Sequence, residues 1–247
     1  MPPEYRPEEY WTARLERDFS LRGVGHVSYS ERYNAWLYRR KRDVLRGALA
    51  GIAPPVRALD VGSGVGWVVA ELLEQVGAEV EGCDIAAVAV ERLRLRFPRA
   101  SFFQAALGTE PLPRAEATYG LVTVLDVAYH VVEDEAWLAG VADLARVLGP
   151  GGRLVISDGM EEVDRTPQPH VRFRSRARWE AALDAAALDL VAVEPCFRWL
   201  SRERTKRGFA RLPDGARGAL EYGLERVAPR PAHQHVLVAV KRRPGRI

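Results

Sequence analysis

The chain has 247 residues, of which 47% are hydrophobic and 28% are charged, so it can bury a sizeable core and is typical of neither a disordered nor a membrane protein. The net charge of +3 is modest, and we expect the basic runs to be solvated rather than bound to nucleic acid. The first residues carry acids where a signal peptide would be apolar, and no apolar run could cross a membrane, so we expect a cytoplasmic protein.

Residues 1–50 are rich in aromatic and charged side chains at helical spacing. The pattern predicts helices at "PEEYWTARLERDF" and "SERYNAWLYRRKRDVLRGAL", and we expect this segment to form a helical lid. Tyr29, Tyr33 and Trp36 share one face of the second helix. They are candidate substrate-binding residues, with core packing as the alternative.

The remaining segment, residues 51–247, alternates short β-rich runs with helical runs. Predicted strands are "VRALDV", "AEVEGCDI", "SFFQAAL", "GLVTVLDVAYHV" and "RLVISDGM", and the predicted helices between them are "GWVVAELLEQVG", "AAVAVERLRLRFP" and "EDEAWLAGVADLARVLGPGG". The alternation predicts a parallel sheet with helices on both faces. The strands "DLVAVEPCFRWL" and "HQHVLVAVKR" are joined irregularly, which predicts an antiparallel last strand within one compact domain.

The first predicted strand runs into a glycine-rich loop, "ALDVGSGVGW", at residues 58–67. Unpaired backbone N–H groups and a positive macrodipole at the following helix predict a polar ligand beyond the strand's carboxyl end. Trp67 stands where a dinucleotide fingerprint has its last glycine, which argues against a nicotinamide oxidoreductase. Asp60, two residues before the first glycine, suits a cation better than a phosphate.

One strand later, Asp84 is placed to accept hydrogen bonds from two ribose hydroxyls. A ligand with a ribose, no phosphate and an amino-acid end is S-adenosylmethionine (SAM). Residues 56–160 resemble the class I SAM-dependent methyltransferases, and four motifs in order carry the resemblance: "ALDVGSGVG", "GCDIA", "LVTVLDVAYHV" and "LARVLGPGGRLVIS". The small bacterial enzymes of this group that act on sugars or secondary metabolites look most similar.

The resemblance implies a Rossmann-like, seven-stranded, mostly parallel sheet with an antiparallel last strand. It also implies SAM as cofactor, with S-adenosylhomocysteine as its product. The implied cofactor-binding residues are Asp60, Gly62, Ser63, Gly64, Gly66, Asp84, Ile85, Ala106, Leu107 and Asp126. One departure is Ala106, since many relatives hold an acid beside adenine at that place; adenine recognition would then use backbone groups of Ala106 and Leu107. For Asp126, which could meet the methionine ammonium or the acceptor, a structural hydrogen bond is the alternative.

Methyl transfer is an in-line displacement, so holding the two reactants together supplies much of the catalysis, about 7–11 kcal/mol. An alcohol acceptor also needs a base, and His130, directly after the fourth strand, is the first candidate; the alternative is that it only shapes the pocket. His170 is a second candidate. Tyr129 and Arg172 are candidate substrate-binding residues, with packing and solvation as their respective alternatives.

We therefore expect a SAM-dependent methyltransferase that acts on a hydroxyl of a sugar or secondary metabolite. The alternatives are an N-methyltransferase, an RNA methyltransferase and a SAM-binding protein without methyltransferase activity. A nucleic-acid acceptor is not favoured, because "LDVAYH" lacks the Asn/Asp-Pro-Pro-aromatic pattern associated with enzymes that methylate the exocyclic amines of nucleic-acid bases. We expect no metal and no membrane, and a monomer or homodimer.

Overall fold

The structure of the protein is a computed structural model that describes residues 5–54, 56–202, 209 and 211–245. Its strands are β1 (Arg57–Val61), β2 (Glu79–Asp84), β3 (Ser101–Gln104), β4 (Tyr119–Val124), β5 (Leu148–Asp158), β6 (Arg165–Gln168), β7 (Val171–Phe173), β8 (Leu188–Phe197) and β9 (Gln234–Lys241). Seven of them form one sheet in the order β3-β2-β1-β4-β5-β9-β8, and β6 and β7 form a separate antiparallel hairpin. Strand β9 runs antiparallel to both of its neighbours, while β1 to β5 are parallel. The predicted seven-stranded, mostly parallel sheet with an antiparallel last strand is confirmed.

The helices are α1 (Pro7–Arg17), α2 (Leu21–Val24), α3 (Glu31–Leu49), α4 (Trp67–Glu71), α5 (Ala87–Arg96), α6 (Asp134–Val147), α7 (Arg176–Ala185) and α8 (Asp214–Val227). Helix α4 continues into a π-helical turn, Leu72–Val76. Ser30 caps α3, because its hydroxyl accepts the Tyr33 backbone N–H. Among the described residues, no helix has the length and apolar character needed to cross a membrane.

Two hydrophobic cores lie on opposite faces of the sheet. Ala58 and Leu121 face the core under α3, α4, α5 and α8, while their neighbours Leu59 and Val122 face the core under α6 and α7. Successive strand residues point to opposite faces, so a strand covered on both sides must be apolar throughout. This is why the central strands show no alternation of polar and apolar residues.

Two element boundaries differ from the predicted ones. The long strand predicted to run to Val131 ends at Val124, and the chain turns at Asp126, which has a φ of 63°. The helix predicted through "LGPGG" ends at Val147, because Leu148 pairs with Tyr119 of β4 and the glycines open β5.

The helices of the N-terminal segment pack in two different places. Helix α3 packs against β8, β9 and α8, so it belongs to the main core. Helix α1 packs against α2 and α5 and brings Trp11 and Leu15 to the cavity described next.

Candidate active site

A cavity of about 640 Å³ lies at the carboxyl ends of β1, β2 and β4. This is where open α/β sheets bind ligands, and the volume is within the range of about 300–1,000 Å³ that is usual for small-molecule pockets. Helix α1 and the residues just before it cover one side through Tyr5, Trp11 and Leu15, and Pro169 at the tip of the β6–β7 hairpin lies on another.

The glycine loop forms the floor of this cavity through Gly62, Ser63 and Gly64. Gly62, Gly64 and Gly66 have φ values of 76°, 52° and 78°, which side chains rarely allow. A Cβ on Gly62 would come within 2.2 Å of the Val127 side chain, and one on Gly66 within 2.4 Å of Phe97. Gly66 therefore allows the loop to pack on the chain behind it, outside the cavity lining.

Asp84 lines the cavity at the end of β2 and is held in place by the backbone. One carboxylate oxygen accepts the Gly64 N–H at 2.8 Å and the other accepts the Ala86 N–H at 2.9 Å. Burial raises the pKa of Asp84, and these two hydrogen bonds oppose the shift. Because a carboxylate offers about four lone-pair sites, each oxygen can accept one more hydrogen bond. The group fits a vicinal diol such as that of a ribose.

Ile85, Ala106 and Leu107 line the cavity beside Asp84, as does Thr109, which the sequence reasoning missed. The Ala105 N–H donates to the Asp84 carbonyl at 3.1 Å, so this loop follows the end of β2 closely. The arrangement offers apolar walls and backbone groups to an adenine ring.

Asp60 lies behind the loop rather than in the cavity lining, and its side chain is buried. Its Oδ1 accepts the Thr123 hydroxyl at 2.8 Å, whereas Oδ2 has no hydrogen-bond partner in the described part of the chain. Burial raises the pKa of Asp60 to about 7. Because Asp60 is not in the cavity lining, its contact with the cationic end of SAM stays a prediction.

His130 lies in the cavity lining on a 3₁₀ turn, Ala128–His130, that follows β4. Its Nδ1 is 2.6 Å from the backbone carbonyl of His170 at the hairpin tip. A carbonyl only accepts, so Nδ1 carries the proton and Nε2 is an acceptor, which has no hydrogen-bond partner among the residues that the structure describes. Burial lowers the pKa of His130 to about 4, which keeps the imidazole neutral at pH 7.

Aromatic rings surround His130. The ring centroids of Trp11 and Tyr129 lie 4.9 and 4.6 Å from that of His130, and the His170 ring is stacked on it at 5.7 Å. The His170 side chain also contacts Tyr10, with ring centroids 4.9 Å apart. His170 therefore contacts His130 through its backbone carbonyl and its ring, but it is not part of the cavity lining.

Asp126 lines the cavity, but the chain's own donors already occupy its carboxylate. It forms a part-buried ion pair with Lys41, and it accepts hydrogen bonds from Gln234 Nε2 at 2.9 Å and the Tyr129 hydroxyl at 3.1 Å. Burial acts to raise the pKa of Asp126, but the charge and hydrogen bond of Lys41 together with the hydrogen bonds from Gln234 and Tyr129 lower it below its usual value. We therefore reassign Asp126 and Tyr129 to a structural cluster beneath the site.

Four of the candidate substrate-binding residues lie away from the cavity. Tyr33 donates to Glu221 of α8, and the Tyr29 ring packs on it at 4.3 Å. Trp36 packs against Tyr222 with ring centroids 5.2 Å apart. Tyr33 and Trp36 lie on the face of α3 turned toward α8, and Tyr29, just before α3, packs against the same helix through Arg217.

The fourth residue, Arg172, forms ion pairs with Asp134 at 2.8 Å and with Asp164 at 3.8 Å. It therefore holds the hairpin against the start of α6 and does not face the cavity.

The sequence reasoning missed the apolar side of the cavity. Trp11, Leu15, Val24 and Tyr38 line it from three helices, and only the amphipathic pattern of α1 and α3 could have suggested them. Within the described residues, no group of three His, Cys, Asp or Glu side chains could hold a metal ion.

Comparison with known families matches residues 58–152 to a family described as a methyltransferase domain. The chain is 31% identical over 108 residues to a demethylmenaquinone methyltransferase of Beutenbergia cavernae, covering 44% of this chain and 42% of that protein. It is 28% identical over 149 residues to a ubiquinone biosynthesis O-methyltransferase of Rhizobium rhizogenes, covering 60% and 50%. The chain thus spans half or less of the length of these curated relatives.

Among solved structures, the chain is similar to the 1,6-didemethyltoxoflavin-N1-methyltransferase of Burkholderia thailandensis, crystallised with its substrate and S-adenosylhomocysteine. The TM-score is 0.58 at 20% identity, covering 98% of this chain and 94% of that one. This likeness supports the fold. The family match falls on β1 to β5 and on the glycine loop and Asp84 that fit a nucleoside. Residues 58–152 therefore match a methyltransferase domain, and this match supports a class I SAM-dependent methyltransferase with SAM as cofactor.

Proposed function

We propose that the protein transfers the methyl group of SAM to a hydroxyl of a small-molecule acceptor. The proposal rests on the position of the His130 imidazole. It lies in the lining of the nucleoside cavity with Nδ1–H fixed on the His170 carbonyl and with Nε2 available. An O-methyltransferase needs such a neutral base beside the acceptor, whereas a neutral amine acceptor needs none.

Different residues of the cavity would bind different parts of the cofactor. Asp84 would hold the ribose diol, the backbone from Gly62 to Gly64 would lie against the cofactor, and Ile85 and Leu107 would enclose its adenine. Bound there, SAM supplies an electrophilic methyl group. Trp11 on α1 and Pro169 on the hairpin would cover the space in front of His130 and limit the access of water to it.

The proton is handled by His130. An acceptor hydroxyl would donate a hydrogen bond to Nε2 and pass its proton there as its oxygen attacks the methyl carbon. The resulting imidazolium keeps its Nδ1–H on the His170 carbonyl, which holds the ring in place during the reaction. Its lowered pKa favours release of the proton to solvent after the methylated product leaves.

The relatives support the class of reaction. One curated relative is named an O-methyltransferase of ubiquinone biosynthesis and another a demethylmenaquinone methyltransferase, and both names describe small-molecule methylation. A cytoplasmic location, a role in bacterial secondary metabolism, and a monomeric or homodimeric state stay predictions.

Two measurements test the proposal. Separate calorimetric titrations with SAM, NADH and tRNA should show binding of SAM alone. Incubation with SAM and a panel of phenols, sugars and amines, followed by mass spectrometry for S-adenosylhomocysteine and product, should show turnover of a hydroxyl compound. Turnover of amines only would replace O-methylation by N-methylation. SAM binding with no methyl transfer to any compound class would favour a SAM-binding protein without this activity.

A further inference from the structure

The walls of the cavity in front of His130 restrict the acceptor. Three aromatic or apolar residues of the lining lie beside His130: Trp11, whose ring contacts that of His130, Tyr5, whose ring is 5.8 Å from that of His170, and Pro169, next to His170. Leu15 and Val24 lie by the glycine loop, where Leu15 packs with Val65 and Val24 lies against Gly64. Planar rings are attracted to such walls by burial and by stacking, at centroid separations of 4.5–7 Å. Trp11 and His130 already present two rings at 4.9 Å with an interplanar angle of 75°.

Charge selects against ionic acceptors. Among the described residues, the lining contains no lysine or arginine, and its acids are Asp84, Asp126 and Glu133. Arg14, on the same helix as Trp11, donates its guanidinium hydrogen bonds to the carbonyls of Gly23 and Gly25 and to the Tyr10 hydroxyl, and its charge lowers the pKa of His130. A phosphate or carboxylate bound here would find no cationic side chain in the lining to donate a hydrogen bond to it, so its desolvation would be costly.

Hydrogen bonding selects against sugars. Of the polar groups of the lining, Asp126 is occupied within the chain: Lys41 and Gln234 bind its carboxylate, and its N–H donates to Ser157 at 2.7 Å. The Tyr5 hydroxyl has no hydrogen-bond partner among the described residues. Because a buried hydroxyl without a partner is costly, a compound with more hydroxyls than the lining can pair is disfavoured. A compound with one hydroxyl placed at His130 Nε2 satisfies that acceptor.

We propose that the acceptor is a neutral, planar aromatic compound that presents one phenolic hydroxyl to His130 Nε2. This inference rests on the O-methylation proposed above and excludes the sugars that the sequence left open. In the reaction the phenolic oxygen gives an electron pair to the methyl carbon, the carbon–sulfur pair stays on sulfur, and the proton moves to Nε2. A phenol, which ionises near pH 10, loses its proton to a weakly basic imidazole far more readily than an aliphatic alcohol does.

The test compares three hydroxyl compounds: 2-naphthol, the saturated decahydro-2-naphthol of similar size, and methyl β-glucoside. With SAM and the whole chain, kcat/KM for 2-naphthol should exceed that for each of the others at least tenfold. Calorimetry with S-adenosylhomocysteine present should also show tighter binding of 2-naphthol than of its saturated analogue, whether or not turnover is observed.

Two variants test whether the Trp11 ring causes the preference for a planar acceptor. Trp11→Leu keeps apolar volume but removes the ring, and it should weaken 2-naphthol binding about two- to tenfold without weakening decahydro-2-naphthol equally. Trp36→Phe, which alters a tryptophan packed on α8, should leave both affinities unchanged.

Preference for the glucoside or the saturated alcohol would overturn the phenol assignment while leaving O-methylation standing. Methylation of 2-naphthylamine in place of every hydroxyl compound would overturn both proposals. Equal binding of 2-naphthol and its saturated analogue would overturn the planar-acceptor inference, even without turnover.

Discussion

Replacing Asp84 with asparagine tests the assignment of the nucleoside site, because the change keeps the shape of the side chain and removes its charge. In the structure both carboxylate oxygens accept a backbone N–H, from Gly64 at 2.8 Å and from Ala86 at 2.9 Å. Asparagine has one acceptor oxygen, so its NH₂ must face one of these donors. The protein without ligand should therefore lose about 1–3 kcal/mol of unfolding free energy.

The affinity for SAM should fall further than this local loss implies. A ribose diol would make two hydrogen bonds to the carboxylate, and hydrogen bonds to charged groups contribute about 1.5–3 kcal/mol each. Since the amide keeps one weaker acceptor, we expect a loss of about 1.4–3 kcal/mol, which raises the Kd roughly tenfold to a hundredfold.

Isothermal calorimetry with SAM and with S-adenosylhomocysteine measures the affinity, and urea unfolding without ligand measures the stability. Asp189→Asn is the matched control, because this aspartate lies on β8 in an exposed ion pair with Arg242. The control should leave both quantities unchanged. If Asp84→Asn binds SAM within twofold of the wild-type affinity, Asp84 does not hold the ribose.

Three other predictions follow from the site. His130→Gln, which cannot take up a proton, should retain SAM affinity and lower turnover of a hydroxyl acceptor by about 10²–10⁴, and unchanged turnover would reject His130 as the base. Lys41→Met leaves Asp126 without its cation and should destabilise the protein by about 3–5 kcal/mol in urea unfolding. Adding Asp126→Asn to this variant should recover part of the lost stability. If the double variant recovers none of it, the ion pair is contradicted. Asp60 has a folded-state pKa of about 7 against an ordinary value near 3.8, so the folded chain binds the extra proton between these values and its stability falls as the pH rises from about 4 to 7. Asp60→Asn should therefore be flatter than wild type over that window, and parallel stability curves would show that this carboxyl titrates normally.

Local patterns in the sequence predicted the sheet and part of the nucleoside site. A glycine loop after a buried strand, followed one strand later by an acid, indicates a nucleoside site because parallel βαβ units bring strand ends to one edge of a sheet. Gly62, Gly64 and Asp84 could therefore be placed together from about thirty residues of sequence. The unbroken apolar strands likewise predicted a sheet covered on both faces.

Contacts between distant parts of the chain could not be read in this way. The partner that fixes the His130 tautomer is a backbone carbonyl 40 residues later, and Asp126 is paired with Lys41, 85 residues earlier. Periodicity indicates that Tyr33 and Trp36 share a face of α3, with Tyr29 just before the helix, but it does not say whether these side chains meet the cavity or α8. Sequence by itself determined the sheet, the loop and the acid, since these depend on local geometry. Tertiary structure alone decided which side chains enclose the acceptor, because that depends on how separate elements pack.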